Sequence, residues 1–317
     1  MVSNNSYMIN QPYIVTGDSG FVGKRLRDRL LASGESVIGI HRREGSPMHA
    51  SHYRSLIVDL ADRESLLQHA EVFRSARAVI HLAGHVPKTR DEPLDLHLAA
   101  NLRTTENLLC VMDRAGVPLV LCSTMYVYGL APDGLPVGED QLPRPTTPYG
   151  ISKLAAEYAV ERMARADRVR AVAQRCPVIF GVGSDVAIHL YASKALSGEP
   201  VSVYGSGTII RDYVHVDDVV DVCLQAAQKA RSVGWGLYHI GGGAALTMLD
   251  FAKLTIDAVG GGSLETSPPR PGPHDFAFDI SRARSELGYA PIALKDRIAQ
   301  YVEDVRRARN EIWRSEC

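Results

Sequence analysis

The chain has 317 residues, of which 35 are Lys or Arg and 36 are Asp or Glu, and its formal net charge is −1. This length suits one large domain or two coupled domains, and the balanced charge gives no reason to expect a nucleic acid or an anionic membrane as a partner. The cysteines number five and form no C-x-x-C pair, which indicates reduced thiols. Because no apolar run has the length of a membrane span and no signal peptide is found, we expect a cytoplasmic protein.

A glycine-rich turn follows the first predicted strand. Pro12–Thr16 is a short apolar run, and the sequence GDSGFVG from Gly17 to Gly23 leads directly into a helical pattern that ends at Gly34. In such a strand–turn–helix unit, glycines let the backbone approach a pyrophosphate, which the free N–H groups of the helix N-terminus bind. The turn is therefore predicted to hold a dinucleotide through Gly17, Gly20, Phe21, Val22 and Gly23.

The second predicted strand, Ser36–Ile40, ends without an acidic residue. His41, Arg42 and Arg43 follow it. An acidic side chain here would hold the ribose hydroxyls of NAD, whereas two arginines suit the 2′-phosphate of NADP. The cofactor is therefore NADP or NAD, and the charge pattern favours NADP; a basic surface loop is the alternative interpretation.

Further strands are predicted at Leu56–Asp59, Ala78–Leu82 and Leu119–Cys122, with a long helix over Leu94–Ala115 between the last two. The carboxyl ends of parallel strands meet at the edge of the sheet where such folds bind ligands. Asp59 at its strand end is placed to bond the adenine amine of a cofactor. The cofactor contacts predicted at these strand ends are Asp59, Leu60, Leu82, Ala83 and Gly84.

The stretch from Leu121 to Lys153 contains the groups that a hydride exchange between an alcohol and a carbonyl requires. Tyr149 and Lys153 are four residues apart, so on a helix they share one face. A lysine ammonium at that position is expected to lower the pKa of the phenol, which then exchanges a proton with a sugar oxygen. Thr124 can hydrogen-bond the same oxygen. Tyr149 and Lys153 are also expected to contact the cofactor.

The order of the elements indicates an α/β fold with a doubly wound parallel Rossmann sheet and a smaller mixed α/β substrate domain. A sixth strand is predicted at Arg170–Arg175, and the alternation of strands and helices becomes looser after Gly181. Residues 1–180 are predicted to form the dinucleotide-binding domain. Residues 181–317 are predicted to form most of the substrate domain, with a segment of about 212–242 returning to the first.

Taken together, these motifs resemble the extended short-chain dehydrogenase/reductase family, in its nucleotide-sugar epimerase/dehydratase branch. The motifs are TGDSGFVG, Asp59, HLAG, STMYVYG, YGISK, GSGTIIRDYVHVDDV, YHIGGG and the Arg-Pro-Gly of PPRPGP, in family order and over nearly the whole chain. The resemblance implies a nucleotide-diphosphate sugar as the substrate and a homodimer formed through helix pairing. It also implies that hydride moves between the nicotinamide and C4 of a hexose.

The resemblance carries family roles to particular residues of this chain. Tyr149 would handle the O4 proton, Lys153 would hold the nicotinamide ribose, and Thr124 would orient O4. Arg211 and Arg270 would bind the diphosphate, as bidentate arginines do well; structural ion pairs are the alternative. The residues expected to contact substrate are Lys88, Thr124, Met125, Arg211 and Arg270, and no metal site is predicted.

Met125 and Tyr126 decide which reaction of the family is expected. In the 4,6-dehydratases that this chain resembles, an Asp and a Glu stand here, and Met125 cannot donate a proton. Tyr126 could act as an acid or a base, so Tyr126 is predicted to be catalytic in a nonstandard dehydratase. With this altered triad the chain resembles the UDP-N-acetylglucosamine 5,6-dehydratase of the tunicamycin pathway, which implies a UDP-N-acetylhexosamine as one expected substrate.

Three alternatives to this dehydratase stay open. A C4-epimerase and an NADPH-dependent 4-ketoreductase need no further base, and a non-catalytic NADP(H)-binding sensor would need no catalytic residues at all.

The chain also departs from many relatives at Val178, where they have Asn, and at Pro273, where they have Asp.

Overall fold

The computed structural model of the chain describes residues 11–43, 50–89, 92–129, 134–184, 187–269 and 274–316. The strands are β1 (Tyr13–Thr16), β2 (Val37–His41), β3 (Tyr53–Ile57), β4 (Ala78–His81), β5 (Pro118–Thr124), β6 (Arg170–Cys176), β7 (Val178–Phe180), β8 (Val201–Tyr204), β9 (Ile210–Arg211), β10 (Tyr213–His215), β11 (Trp235–His239), β12 (Leu246–Thr247) and β13 (Leu264–Ser267).

The α-helices are α1 (Phe21–Ala32), α2 (Arg63–Leu67), α3 (Ala70–Arg74), α4 (Leu94–His97), α5 (Thr104–Met112), α6 (Pro148–Arg165), α7 (Ala187–Leu196), α8 (Val216–Val233), α9 (Met248–Val259), α10 (Ser281–Leu287) and α11 (Leu294–Glu316). A π-helical segment, Leu98–Arg103, connects α4 to α5, and a 3₁₀ turn, Met125–Tyr128, follows β5. Among the described residues, no helix combines the length and the apolar character that a membrane span requires.

The predicted Rossmann-like sheet is confirmed. Seven strands are ordered β11-β6-β5-β4-β1-β2-β3, and helices flank them. β1 is parallel to both of its neighbours, with Tyr13 opposite Val37 of β2 and opposite Ala78 of β4. The side chains of β1 are buried throughout, as expected for a central strand covered on both faces. The carboxyl ends of these parallel strands therefore lie at one edge of the sheet.

β3 differs in position from the predicted strand at Leu56–Asp59. It begins three residues earlier, at Tyr53, and pairs with β2 through Tyr53–Val37 and Ile57–His41. β3 is the edge strand, so much of its surface is exposed and its sequence lacks the continuous apolar run of a central strand. Asp59 consequently lies two residues after the strand.

The chain divides into two compact units. Unit 1 comprises the described residues within Met1–Leu121, Ala155–Val172 and Ala226–Gly236. Unit 2 comprises those within Cys122–Leu154, Ala173–Gln225 and Leu237–Cys317. Unlike the predicted division at residue 180, this grouping puts 122–154 with the C-terminal part of the chain. Which segments bind the cofactor and which bind the substrate stays a prediction.

Unit 2 has a core of its own built around α7, α9 and α11. Phe180, Tyr213, Phe251 and Tyr301 are buried there, and the ring of Phe180 meets the rings of Phe251 and Tyr301 nearly at right angles. Such edge-to-face pairs add to the free energy gained by burying the rings. Two-stranded sheets of both orientations, β10 with β7, β12 with β9 and β13 with β8, complete this mixed α/β arrangement.

Candidate active site

A cavity of about 970 Å³ opens in unit 1 at the carboxyl edge of the sheet. The predicted cofactor residues that line it are Gly17, Gly20, His41, Arg42, Arg43, Asp59, Leu60, Leu82, Ala83 and Gly84. Phe21, Val22 and Gly23 instead form the first turn of α1 and are not among the lining residues. The cavity is large enough for a dinucleotide, and its glycine-rich turn opens a helix of 12 residues.

Close packing explains two of the glycines. Gly17 has φ +71°, and a Cβ there would lie 2.7 Å from the backbone nitrogen of Ala83. At Gly23, a Cβ would collide with the carbonyl oxygen of Gly17. Larger residues would therefore push the turn away from β4 and close the space beside the N-terminus of α1. These residues fit a pyrophosphate held by backbone N–H groups.

A buried hydrogen-bond chain fixes the floor of the cavity. The Thr16 hydroxyl lies 2.7 Å from Nδ1 of His81 and accepts the N–H of Ala83 at 3.1 Å. Nε2 of His81 lies 3.1 Å from the hydroxyl of Thr105 on α5. The chain joins the ends of β1 and β4 to α5, so the Ala83–Gly84 backbone is held where a cofactor would pass.

Arginines line the cavity near the end of β2. Arg42 and Arg43 are exposed, and Arg27 of α1 lines the same cavity, although the sequence analysis did not select it. Sequence spacing gives no signal for Arg27, because only the packing of α1 beside β2 brings it there. The exposed Arg42 and Arg43 present positive charge that suits a phosphate, whereas the guanidinium of Arg27 is paired with Asp28 at 2.9 Å.

An acidic residue does lie behind the end of β2, but it comes from the glycine-rich turn. Asp18 is fully buried and accepts a 2.7 Å hydrogen bond from the hydroxyl of Tyr53. Nε2 of His41 lies 3.3 Å from the same carboxylate. Burial chiefly, with Asp18 adding to it, raises the pKa of Tyr53 to about 12. Asp18 therefore orients His41 and Tyr53 from beneath the cavity wall and is not itself among the lining residues.

Asp59 lines the cavity and supports the turn that follows β3. Its carboxylate accepts the N–H of Ala61 at 2.9 Å, while the side chain remains exposed. The second carboxylate oxygen has space for a ligand, so the predicted bond to an adenine amine is compatible with this geometry.

In unit 2, Thr124 and Tyr149 are brought together as predicted. Thr124 ends β5, and its hydroxyl accepts the N–H of Tyr126 at 3.3 Å and hydrogen-bonds the side chain of Tyr149. Gly150 makes this approach possible, because a Cβ there would collide with the carbonyl oxygen of Tyr126. The first turn of α6 can thus pack directly on the 3₁₀ turn that follows β5.

Lys153 lies one turn after Tyr149 on α6. It is buried, and its Nζ donates a 2.5 Å hydrogen bond to the carbonyl oxygen of Cys122. Burial raises the pKa of Tyr149 well above its usual value, Cys122 adds to this rise, and the bond with Thr124 opposes it. Lys153 is not among the leading causes of this shift, and the net change in the pKa is upward rather than the lowering that the sequence predicts.

The two residues after Thr124 have different environments. Met125 is buried, whereas 37% of Tyr126 is exposed and its ring meets the Tyr149 ring edge-on at a centroid distance of 6.0 Å. The cluster of Thr124, Tyr126, Tyr149 and Lys153 therefore offers hydroxyl groups and one ammonium. It has no carboxylate at the two positions after Thr124.

The predicted substrate-binding residues are dispersed. Arg211 lies on β9 and donates to the carbonyl oxygen of His274 at 3.3 Å. Lys88 is exposed in the loop after β4. Arg270 and Pro273 lie outside the described residues. The roles of these side chains and of Met125 stay predictions.

The chain matches the model of the NAD dependent epimerase/dehydratase family over residues 13–241. Among curated proteins, it is 29% identical to the UDP-glucose 4-epimerase of Mycolicibacterium smegmatis, covering 92% of this chain and 98% of that one. It is 28% identical to the dTDP-glucose 4,6-dehydratase of Streptomyces niveus, covering 95% and 94% of the two chains.

A solved structure shares this fold over nearly its whole length. MoeE5 in complex with UDP-glucose and NAD superposes with a TM-score of 0.79 at 32% identity, covering 94% of this chain and 99% of that one. The similarity therefore extends through both the cavity of unit 1 and the hydroxyl cluster of unit 2.

Proposed function

Because the chain belongs to the NAD dependent epimerase/dehydratase family, we propose that it is an NAD(P)-dependent 4-epimerase of a nucleotide-diphosphate hexose. A UDP-linked hexose is the proposed substrate class, since MoeE5 was solved with UDP-glucose and a relative in Mycolicibacterium smegmatis is a UDP-glucose 4-epimerase. The observation that carries the proposal is the hydrogen-bonded Thr124–Tyr149 pair, with Lys153 one turn away and no carboxylate at the two positions after Thr124.

Each residue of the cluster has a defined role in this proposal. A bound nicotinamide cofactor supplies the hydride acceptor and donor. Tyr149 takes the proton of O4 as C4 is oxidised and returns it when C4 is reduced, while Thr124 fixes O4 by a hydrogen bond. Lys153 supplies a positive charge near the phenol. Because burial chiefly raises the pKa of Tyr149 and Cys122 adds to the rise, a positive charge is needed to make the phenol a useful base.

Epimerisation asks for no other protein group. Oxidation produces a planar ketone at C4, and reduction on the opposite face inverts the centre, with Tyr149 serving both half-reactions. Elimination of water across C5 and C6 would need a base at C5 and an acid at O6 as well. Met125 can supply neither, and Tyr126 cannot supply both in one step. The epimerase is therefore proposed ahead of the dehydratase that the sequence favours.

The cofactor would occupy the cavity of unit 1. Backbone N–H groups of the Gly17–Gly23 turn would hold the pyrophosphate, and the cavity wall with the exposed Arg42 and Arg43 would hold a 2′-phosphate. NADP is therefore proposed over NAD on the charge of this wall. Substrate contacts by Lys88, Met125, Arg211 and Arg270, and a homodimer, are part of the same proposal.

A nonstandard dehydratase is the second candidate. The exposed face of Tyr126 and its edge-on contact with Tyr149 put a second phenol next to the reacting group. The dTDP-glucose 4,6-dehydratase of Streptomyces niveus is also similar over most of this chain. If the chain is a dehydratase, its product is to be compared with that of the tunicamycin-type 5,6-dehydratase, whose catalytic triad is also altered.

One set of incubations separates the four possibilities. The epimerase, the dehydratase and the ketoreductase predict different products, and the non-catalytic sensor predicts none. Purified protein is incubated with UDP-glucose, UDP-galactose and their N-acetylated forms in deuterated water, with NAD or NADP, and products are followed by NMR. The epimerase gives interconversion at C4 without deuterium at C5 and without net cofactor reduction, and Tyr149→Phe abolishes it. Loss of water from the sugar would indicate the dehydratase instead. A reaction that occurs only when a 4-keto sugar and NADPH are supplied would indicate the reductase. Cofactor binding with no turnover of any sugar would indicate the sensor.

A further inference from the structure

Three side chains converge beside the cavity of unit 1 and have no part in the proposed reaction. They are His85 in the loop after β4, Glu92 just before α4, and His97, the last residue of α4. Nε2 of His85 lies 2.5 Å from Oε2 of Glu92, and Nε2 of His97 lies 3.4 Å from the same oxygen. One potential ligand atom from each residue lies within 4.8 Å of the others.

The carboxylate at the centre of this cluster is oriented by the loop around it. Oε1 of Glu92 accepts the N–H of Lys88 at 2.8 Å and that of Thr89 at 3.4 Å. These bonds leave Oε2 for the two imidazoles. Such partners behind a ligating group fix its orientation in metal sites, and their loss weakens metal binding.

Hydrogen bonds from Asn101 position His85. Asn101 accepts the N–H of His85 at 2.8 Å and donates to the carbonyl of His85 at 3.3 Å, so it holds both sides of that peptide. Asn101 belongs to the π-helical segment Leu98–Arg103, which begins directly after His97. Single π-helical turns are rare and occur often at functional sites. The wider π-helical turn determines how far Asn101 is rotated about the helix axis relative to His97. Because Asn101 holds the His85 peptide, the same turn positions His85 relative to His97.

We propose that His85, Glu92 and His97 bind one divalent transition-metal ion of the Zn²⁺ type. Two imidazole nitrogens and one carboxylate oxygen are a donor set that zinc uses, whereas Mg²⁺ and Ca²⁺ prefer oxygen ligands alone. Because His85 also lines the cavity, a fourth coordination position would face a ligand held there. No metal site is predicted from the sequence, since His85, Glu92 and His97 follow no common metal-binding spacing.

The distances need little adjustment. Tetrahedral ligation at about 2.0–2.2 Å separates neighbouring ligand atoms by about 3.3–3.6 Å. The His97–Glu92 pair already has this separation at 3.4 Å. The His85–Glu92 pair would have to lengthen from 2.5 Å, and both of these side chains are partly exposed. His97 is 1% exposed, so it is the fixed member of the set.

The competing account is that the three groups form only a hydrogen-bonded network. The full chain, dialysed against a chelator, is therefore titrated with ZnCl₂ by calorimetry and with CoCl₂ by visible absorption. We expect one equivalent of each metal and the d–d bands of a four-coordinate cobalt site. Glu92→Gln and His85→Ala should each weaken Zn²⁺ by about a hundredfold or more, because losing even an orienting partner costs about 10–100-fold.

The exposed His52 gives the matched control, since His52→Ala removes an imidazole outside the cluster and should leave the affinity unchanged. Thermal unfolding without metal shows whether each variant folds. His97 is buried, so its replacement by Ala tests folding as well as metal binding. The partly exposed His85→Ala variant is therefore the one that decides whether the cluster binds metal. Three outcomes would overturn the proposal: no binding, equal affinity in the variants, or strong sulfur-to-cobalt charge transfer that puts the metal on cysteines. The readout is binding, so it does not depend on the proposed reaction.

Discussion

Thr124 and Tyr149 share a side-chain hydrogen bond although they are 25 positions apart in sequence, one ending β5 and the other in the first turn of α6. Gly150 lets the two elements approach, and Thr124 is itself fixed because it accepts the N–H of Tyr126. The phenol is thus held in a defined position before any ligand arrives. Such prior orientation is what a proton-transfer group requires.

Replacing Tyr149 by Phe should remove activity while retaining the fold. The hydroxyl is the proposed proton-transfer group, and its loss should lower kcat by about a hundredfold or more. Initial rates of C4 interconversion measure the effect, and dinucleotide binding is expected to persist. Tyr158→Phe is the matched control, since Tyr158 lies on the same helix and is 52% exposed. Turnover at the wild-type rate in Tyr149→Phe would reduce Tyr149 to a structural residue.

The double change Arg42→Ala with Arg43→Ala should weaken NADP(H) much more than NAD(H). Hydrogen bonds to a charged group contribute about 1.5–3 kcal/mol, which corresponds to an affinity loss of about 10–150-fold. Fluorescence titration with both reduced cofactors measures the ratio, with Arg54→Ala on exposed β3 as control. An equal loss for both cofactors would show that these arginines do not read the 2′-phosphate.

The sequence is sufficient to predict the glycine-rich turn and the Thr124–Tyr149 approach. The turn depends on local chemistry, because glycine adopts the φ of +71° at Gly17 without strain. Gly150 leaves room for Tyr126 where a side chain would collide, which lets Thr124 and Tyr149 approach. The position of β3 was missed because an edge strand has little apolar signal. Arg27 and Asp18 were missed for another reason: their roles arise from how α1 and the turn pack beside β2 and β3, which no spacing encodes.

The same limit applies to the His85, Glu92 and His97 cluster. His85 and Glu92 come from the segment between β4 and α4, His97 is the last residue of α4, and a π-helical segment follows it directly. A sequence analysis that assumes a regular helical period over Leu94–Ala115 assigns the wrong neighbours to His97. The predicted helix over Leu94–Ala115 begins where α4 begins, but helical structure ends at Met112 and the π-helical segment interrupts it.

His239 should make unit 2 sensitive to acid. Its ring is fully buried, stacks on Phe278 at 4.0 Å and lies 2.7 Å from the hydroxyl of Tyr128. Burial first, and Arg175 next, lower the pKa of His239 to about 3. A lowered histidine pKa means that the stabilisation is complete above the unfolded-state pKa of about 6.5 and is lost as the pH falls towards 3.

Urea unfolding of wild type and His239→Gln measures this contribution. Between about pH 7 and about pH 5.5, the free energy of unfolding of wild type should fall by about 1.3 kcal/mol more than that of the variant. Glu139, which accepts the backbone N–H of His239 at 2.9 Å, and Asp279, which also acts on the pKa of His239, are present in both proteins. Their own titration therefore cancels when the two profiles are subtracted. His52→Gln, an exposed change, should follow wild type. Parallel pH profiles for wild type and His239→Gln would contradict the assignment.

The last prediction concerns Tyr126 and separates the two candidate reactions. Oxidation at C4 acidifies the C5 proton, so an eliminating enzyme must have a base near C5. In an epimerase, Tyr126 only packs beside the sugar, as its edge-on contact with Tyr149 allows. We therefore expect Tyr126→Phe to keep C4 interconversion within about tenfold of wild type, because a proton-transfer role would cost about a hundredfold or more.

The experiment is run in deuterated water with wild type and Tyr126→Phe under the same conditions. Tyr149→Phe is the control for a lost proton-transfer group, and NMR reports deuterium at C5 together with the configuration at C4. Wild type should invert C4 without deuterium at C5, and the Phe variant should do the same. If wild type instead exchanges or eliminates at C5, and Tyr126→Phe stalls after C4 oxidation with reduced cofactor accumulating, then Tyr126 is the base and the enzyme is a dehydratase. Because the stalled variant would still oxidise C4, that result would leave the roles of Thr124, Tyr149 and Lys153 intact.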